Sequence, residues 1–137
     1  MRQSFPRRLD ALAEVFNFID AFADAHRLEE SVRYALRLAV EELFTNAVKY
    51  NSAGHGNPAL DITLGGKSLR VEFVDPDAER FDPTEQPEPS LRAPLEGRQP
   101  GRLGIHLIKR YFDRVDYDYQ GRISTITLTK HLRPPHV

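Results

Sequence analysis

The most informative stretch of this chain runs Val40-Glu41-Glu42-Leu43-Phe44-Thr45-Asn46-Ala47-Val48-Lys49-Tyr50-Asn51. Apolar residues recur through it and just before it at intervals of three and four, at Leu36, Val40, Leu43 and Ala47. This is the spacing of one buried face of an α-helix. We therefore predict an amphipathic helix from about residue 29 to residue 50, of which the quoted stretch is the second half.

Beside its apolar face, this helix carries a carboxylate and a carboxamide four residues apart, Glu42 and Asn46. Side chains at that spacing lie one above the other, and Lys49 follows close to the same face. An amide oxygen is a hard ligand for magnesium, and a carboxylate can accept a proton from an attacking hydroxyl or water. The set is typical of a magnesium–nucleotide site. The same residue types are also common on a solvated helix face. The choice between a nucleotide site and a solvated face therefore depends on the rest of the sequence.

Length, charge and cysteine content narrow the class of protein. With 137 residues and ordinary composition, the chain is predicted to form a single domain spanning residues 1–137. Its net charge of -1 gives no reason to expect nucleic acid or an anionic membrane as a partner. The absence of cysteine excludes disulfides and thiolate metal sites and is compatible with a cytoplasmic protein. No stretch approaches the roughly eighteen apolar residues of a membrane span, and the N-terminus lacks the apolar core of a signal peptide.

The remaining periodicities predict two more helices and five short strands. An apolar stripe predicts a helix over Leu9–Ala25, and Leu103 opens another. Alternating residues predict strands at 2–5, 60–64, 68–75, 115–119 and 125–129, with turns at Gly65-Gly66 and Gly121-Arg122 and a frayed tail over 131–137. Successive hairpins with helices segregated to one face predict an α+β fold, a two-layer α/β sandwich with a mixed, mostly antiparallel sheet.

Two further features lie beyond the second hairpin strand. Asp75 closes that strand, where a buried carboxylate could accept the exocyclic amine of adenine, although an acid at a strand end is often only a turn former. Six prolines then interrupt the pattern before Gly101, and a connection of this length is usually functional or disordered. The stretch Gly101-Arg102-Leu103-Gly104 begins the last helix, where free N–H groups and small residues suit a phosphate.

In this order, these pieces resemble the GHKL (histidine-kinase-like) ATPase superfamily, with its Bergerat fold. Within it the chain is most similar to the stand-alone anti-sigma-factor serine/threonine kinases of bacterial signalling, and the resemblance covers almost the whole chain. The motifs that carry it are 38–48 (close to the family's N box), Phe81-Asp82-Pro83, Gly104-Ile105-His106-Leu107-Ile108 and Leu128-Thr129-Lys130-His131-Leu132.

The resemblance implies a role for each candidate residue, with ATP and magnesium as cofactors. Asn46 would contact the magnesium ion that bridges the phosphates, Glu42 would be the general base, and Asp75 would recognise adenine. The segment from about 76 to 100 would form the ATP lid. The remaining nucleotide contacts would come from Lys49, Gly101, Arg102, Leu103, Gly104 and, near adenine, Thr125.

The implied function is that of a kinase that is also a binding switch. It would phosphorylate a serine on an antagonist protein of the STAS type, bind a sigma factor or similar target, and form a homodimer. The sequence departs from the family at Asp75-Pro76-Asp77, where Asp-x-Gly is usual, at Arg102, where glycine is common, and at Tyr50, where histidine is frequent. The alternative is therefore an inactive protein-binding module with the same fold. The detached catalytic domain of a histidine kinase is disfavoured, because no dimerisation helices with a phosphoacceptor histidine precede the site.

Overall fold

The structure, a computed structural model, describes residues 1–80 and 102–132, except for the side chains of 102–105. Helix α2 spans Glu30–Tyr50, as its apolar stripe predicts, and helix α1 spans Leu12–Ala25 after a 3-10 turn at Leu9–Ala11. The other elements are strand β1 (Arg2–Ser4), strand β2 (Ala59–Gly65), strand β3 (Ser68–Asp75), helix α3 (Arg102–Tyr111), strand β4 (Arg114–Gln120) and strand β5 (Ile123–His131).

The five strands form one sheet in the order β1-β2-β3-β5-β4. Each pairing among them is antiparallel, so the expected mixed sheet is antiparallel throughout the described strands. Strand β5 lies beside β3 although α3 and β4 come between the two in sequence. The connection after β3 therefore skips one position in the sheet, and β5 returns to fill it. The predicted α+β fold is confirmed.

The core lies between one face of the sheet and the inner faces of α1 and α2. Alternate strand residues point into it, because successive side chains of a strand face opposite ways. Phe5 packs edge-on against Phe18 of α1 and Phe44 of α2, with ring centroids 5.8 and 6.5 Å away. The sheet contributes the buried residues Leu60, Ile62, Leu69, Val71, Phe73, Ile126 and Leu128.

Of three expectations about the turns and the C-terminal end, two change in detail and one is confirmed. Gly65 is the last residue of β2, and the hairpin turns one residue later, at Gly66-Lys67, where Gly66 has φ +59°. His131 ends β5 instead of opening a frayed tail, and residues 133–137 lie outside the described part. The predicted Gly121-Arg122 turn is present, with φ of +56° and +65°. Within the described ranges, no helix has the length and apolar character to cross a bilayer.

Candidate functional site

Glu42 and Asn46 lie on one face of α2 and touch. The Asn46 Nδ2 donates to a carboxylate oxygen of Glu42 at 3.2 Å, and both residues are half-buried. Because an ionised carboxylate only accepts hydrogen bonds, the Asn46 amide must present its nitrogen to Glu42. Its oxygen is then the atom left to meet a cation. A single amide oxygen beside a carboxylate fits magnesium, which takes few protein ligands and completes its shell with water and phosphate oxygens.

The environment of Glu42 makes its carboxylate a better proton acceptor. Partial burial raises the pKa of Glu42, and the hydrogen bond from Asn46 and the charge of Lys49 oppose that rise. The neighbouring charge of Glu41 adds to it. A general base works best when its pKa approaches the working pH, so the raised pKa of Glu42 suits that role. Lys49 itself is exposed and reaches this face through its charge.

The direction of helix α3 along α2 follows from one contact between their aromatic rings. Tyr111, its last residue, stacks edge-on against Tyr34 of α2 with ring centroids 6.4 Å apart. Only four residues of α2 precede Tyr34, whereas nine residues of α3 precede Tyr111. The two helices pack together, so α3 must run antiparallel to α2. At 1.5 Å per residue, the start of α3 lies roughly level with Leu43.

Asp75 is a buried carboxylate, 3% exposed, at the end of β3. Arg7 grips both of its oxygens, with Nη2 at 2.7 Å from one and Nη1 at 3.0 Å from the other. The backbone N–H of Asp77 donates to the first oxygen at 3.1 Å, and Asn51, which caps α2, donates to the second at 3.3 Å. Each carboxylate oxygen therefore already accepts two hydrogen bonds. Asp75 is more than a turn former, because a carboxylate buried in this way needs such partners.

The segment after Asp75 is held against the rest of the site. Asp77 accepts from the backbone N–H of His55 at 2.8 Å and from Arg122 Nε at 2.5 Å. These contacts, the His55 hydrogen bond first, lower the pKa of Asp77. Asp77, which stands at the usual glycine position, is thus paired with Arg122. The N–H of Glu79 donates to the side-chain oxygen of Asn51 at 3.1 Å. The first residues of the predicted lid, up to Glu79, are therefore hydrogen-bonded to the end of α2.

The loop between α2 and β2 packs closely on this segment at Gly54. A Cβ at Gly54 would lie 2.7 Å from the carbonyl oxygen of Asp77, 2.9 Å from the guanidinium carbon of Arg7 and 2.9 Å from the carbonyl oxygen of Asn51. Two of these neighbours are backbone atoms, which cannot rotate away. The absence of a side chain at Gly54 is therefore a condition for the arrangement around Asp75.

The structure does not bring Thr125 to Asp75. In the β3–β5 register, Asp75 stands opposite Ser124, whereas Thr125 stands opposite Val74. Directly opposed residues of antiparallel strands share a face, and their neighbours point to the other face. Ser124, which is buried, therefore lies on the side of Asp75, and Thr125 lies on the outer face of the sheet. The contact of Thr125 with adenine stays a prediction, and we propose Ser124 as the better placed hydroxyl because it shares the face of Asp75.

Some predicted residues fall outside the part of the chain that the structure describes. These are Gly101, residues 81–100 of the expected lid, and the side chains of Arg102, Leu103 and Gly104, of which only the helical backbone is described. Conversely, the sequence reasoning missed Arg7, Asn51 and Ser124. One signal was available. A carboxylate that faces inward at the end of β3 is predicted to have a buried cationic partner, because an unpaired buried charge is costly. Nothing in the sequence singled out Arg7 among the arginines.

Comparison with known proteins agrees with this fold. A family profile described as the histidine kinase-like ATPase domain matches residues 5–130. The chain therefore belongs to the histidine kinase-like ATPase family, and the resemblance drawn from its motifs is confirmed.

Similar proteins include one curated relative and two solved structures. Serine/threonine-protein kinase BtrW of Bordetella bronchiseptica is 25% identical over 118 residues, which cover 85% of this chain and 83% of BtrW. In the SiaB–SiaC complex from Pseudomonas aeruginosa, one chain matches with a TM-score of 0.62 and 13% identity, over 95% of this chain and 87% of that one. The histidine kinase AdeS of Acinetobacter baumannii matches with a TM-score of 0.55 and 18% identity, over 98% and 68%. At these identities the two solved structures establish the fold alone.

Proposed function

We propose that this protein is an ATP-dependent serine/threonine kinase that phosphorylates a partner protein. The observation that carries the proposal is the contact between Glu42 and Asn46 on α2, in a chain of the histidine kinase-like ATPase family. BtrW, which spans nearly the same length, is named as a serine/threonine-protein kinase and supports the same activity here.

The candidate residues are arranged in an order that suits a bound nucleotide. Asn51, which holds Asp75, lies five residues beyond Asn46, or roughly 7.5 Å along the helix axis. The base end of the site at Asp75 is thereby separated from the phosphate end at Glu42 and Asn46. Magnesium-bound ATP supplies an activated phosphoryl group with its charge neutralised.

Glu42 is the proposed general base. In the proposed reaction the oxygen of a partner's serine hydroxyl bonds to the γ-phosphorus, the bond from that phosphorus to the ADP oxygen breaks, and the hydroxyl proton goes to Glu42. Asn46 would hold the magnesium ion through its side-chain oxygen, and the ion would neutralise charge on the phosphates. Phosphoryl transfer depends mainly on positioning and charge stabilisation, and these residues supply both.

The partner is proposed from the sequence resemblance to anti-sigma-factor kinases. We infer a STAS-domain antagonist as phosphate acceptor and a sigma factor or similar protein as the second target, bound in competition by a homodimeric, cytoplasmic protein. Phosphorylation would release the antagonist and leave the kinase to capture its target.

The first test is calorimetry of ATP with and without magnesium. We expect magnesium-dependent binding by the wild type and its loss in Asn46→Ala. Asn17→Ala, the same change on the exposed side of α1, is the matched control and should bind as the wild type does. Magnesium-independent binding, or equal binding by both variants, would remove Asn46 from the site. Transfer of labelled γ-phosphate to purified STAS-domain proteins then tests the kinase activity.

A second candidate function is a binding module without turnover. The observation that favours it is the engagement of Asp75 by Arg7, which leaves neither carboxylate oxygen open to a base. Thermal unfolding with and without magnesium–ATP separates the two functions, since a ligand that binds the native state raises the melting temperature. No shift with ATP, together with tight binding of an unmodified partner, would favour the module.

A further inference from the structure

The guanidinium of Arg7 lies where the proposed base recognition has to take place. The side chains of Arg7 and Asp75 are 6% and 4% exposed, so the pair is withdrawn from solvent. Arg7 comes from the connection after β1, and its guanidinium also donates to the carbonyl oxygen of Gly56 at 3.1 and 3.3 Å. Together with Asn51 and the N–H of Asp77, it fills the positions at which the carboxylate accepts hydrogen bonds.

A carboxylate recognises adenine by accepting a hydrogen bond from the exocyclic amine, which is a donor. Arg7 is a donor to the same oxygens, so Arg7 and the amine compete for Asp75. The other two donors, Asn51 and the backbone of Asp77, are anchored on neighbouring elements and hold the carboxylate in place without Arg7. A purine with a carbonyl group at the same ring position offers a hydrogen-bond acceptor instead. The guanidinium of Arg7 can donate to that carbonyl when it lies on Asp75, whereas the Asp75 carboxylate alone repels it.

We propose that Arg7 sets the base specificity of the nucleotide site by competing with the adenine amine for Asp75. This inference rests on the proposed ATP-binding function. With Arg7 on Asp75, the site binds ATP weakly and discriminates poorly against a 6-oxo purine nucleotide. With Arg7 displaced, Asp75 accepts the adenine amine, and ATP is preferred.

The position of Arg7 allows this displacement. Arg7 lies between β1 and the 3-10 turn, and Gly56 lies in the loop after α2, so the guanidinium can leave without breaking a helix or strand. A nucleotide that needs Arg7 displaced binds only the molecules in which Arg7 is away from Asp75. Its apparent affinity is the intrinsic affinity multiplied by the fraction of such molecules. Removing the competitor removes that reduction.

The test compares ATP with inosine triphosphate, its 6-oxo analogue, by calorimetry on the full-length protein with magnesium. Arg7→Met keeps the length of the apolar stem and removes the guanidinium. We expect Arg7→Met to bind ATP about tenfold more tightly or better, the range for one hydrogen bond to a charged group, and inosine triphosphate no more tightly. Arg8→Met is the matched control, since Arg8 is exposed and forms an ion pair with exposed Asp10, and it should leave both affinities unchanged.

Unpairing Asp75 costs stability, so thermal unfolding establishes that Arg7→Met is folded at the temperature used. If Arg7→Met does not fold, Arg7→Lys is tested instead, because lysine keeps the charge but cannot donate to both carboxylate oxygens as arginine does. We expect Arg7→Lys to bind ATP more tightly than the wild type, by a smaller factor than Arg7→Met, with no change for inosine triphosphate. ATP affinity that is unchanged or weaker in the folded variants, while the wild type binds ATP through Asn46, would overturn this inference and leave the proposed function standing. Absence of ATP binding by the wild type and by every folded variant would overturn both.

Discussion

The amide nitrogen of Asn46 lies 3.2 Å from a carboxylate oxygen of Glu42, one helical turn before it. The hydrogen bond fixes which end of the amide faces the carboxylate and so leaves the amide oxygen for a cation. It also stabilises the charged form of Glu42 against the burial that disfavours it. The proposed metal ligand and the proposed base therefore orient one another.

The first prediction concerns catalysis by Glu42. Glu42→Gln retains an acceptor for the Asn46 amide but cannot take a proton, so phosphoryl transfer should slow by about a hundredfold or more while ATP affinity is kept. Single-turnover transfer of labelled phosphate, alongside calorimetry, measures the two quantities separately. Glu41→Gln, an exposed neighbour on the same helix, controls for the lost charge. Equal rates in the Glu42→Gln variant and the wild type would remove Glu42 from the chemistry.

The second prediction concerns stability against pH. Burial raises the pKa of Glu42 above its ordinary value of 4.5, so the native state holds this proton more tightly than the unfolded state does. Wild-type stability should therefore fall as pH rises from that ordinary value through the raised pKa, relative to a variant without the group. Glu42→Gln should be the more stable protein at neutral pH, and its advantage should vanish below about pH 4.

Denaturant unfolding of both proteins between pH 3 and pH 8 provides the measurement. Glu41→Gln again controls for the change in net charge. An advantage of Glu42→Gln that stays constant across the range would show that it comes from packing and not from ionisation.

The sequence predicted those parts of the fold that depend on local periodicity. The apolar spacing of Leu36, Val40, Leu43 and Ala47 placed α2 correctly, and the contact of Glu42 with Asn46 follows from helix geometry alone. The turn was predicted one residue too early, at Gly65-Gly66, because two adjacent glycines allow two registers of the hairpin. Only the pairing of the strands selects the turn at Gly66-Lys67.

Contacts between distant parts of the chain were beyond the sequence. Arg7 and Asp75 are 68 positions apart, and several arginines could have met this carboxylate. The choice between Ser124 and Thr125 depends on the register of β5 against β3, where a slip of one residue exchanges the two faces. Both contacts belong to the surroundings of Asp75, the proposed base end of the site, which four separate segments of the chain build.

The third prediction concerns the loop beneath Asp75. Gly54→Ala should destabilise the protein by about 1–3 kcal/mol, the usual cost of inserting a methyl group into a packed region. It should also weaken nucleotide binding, because the shifted backbone atoms belong to Asp77 and Asn51, the two residues that hold the Asp75 carboxylate when Arg7 is displaced. Gly65→Ala is the matched control, since a Cβ there would meet no atom of the described residues within 4 Å. Denaturant unfolding and calorimetry measure both effects, and equal behaviour of the two variants would contradict the close packing at Gly54.

The fourth prediction separates the two hydroxyl residues at the start of β5. Ser124 is buried on the face of Asp75, so Ser124→Ala should weaken ATP binding several-fold, as expected for the loss of one neutral hydrogen bond. Thr125→Ala removes a hydroxyl from the outer face of the sheet and should leave ATP affinity unchanged. Calorimetry with ATP on the two variants, each shown by thermal unfolding to be folded, measures the difference. A larger loss in Thr125→Ala than in Ser124→Ala would place the nucleotide on the outer face, and the assignment of Asp75 to the base would fall with it.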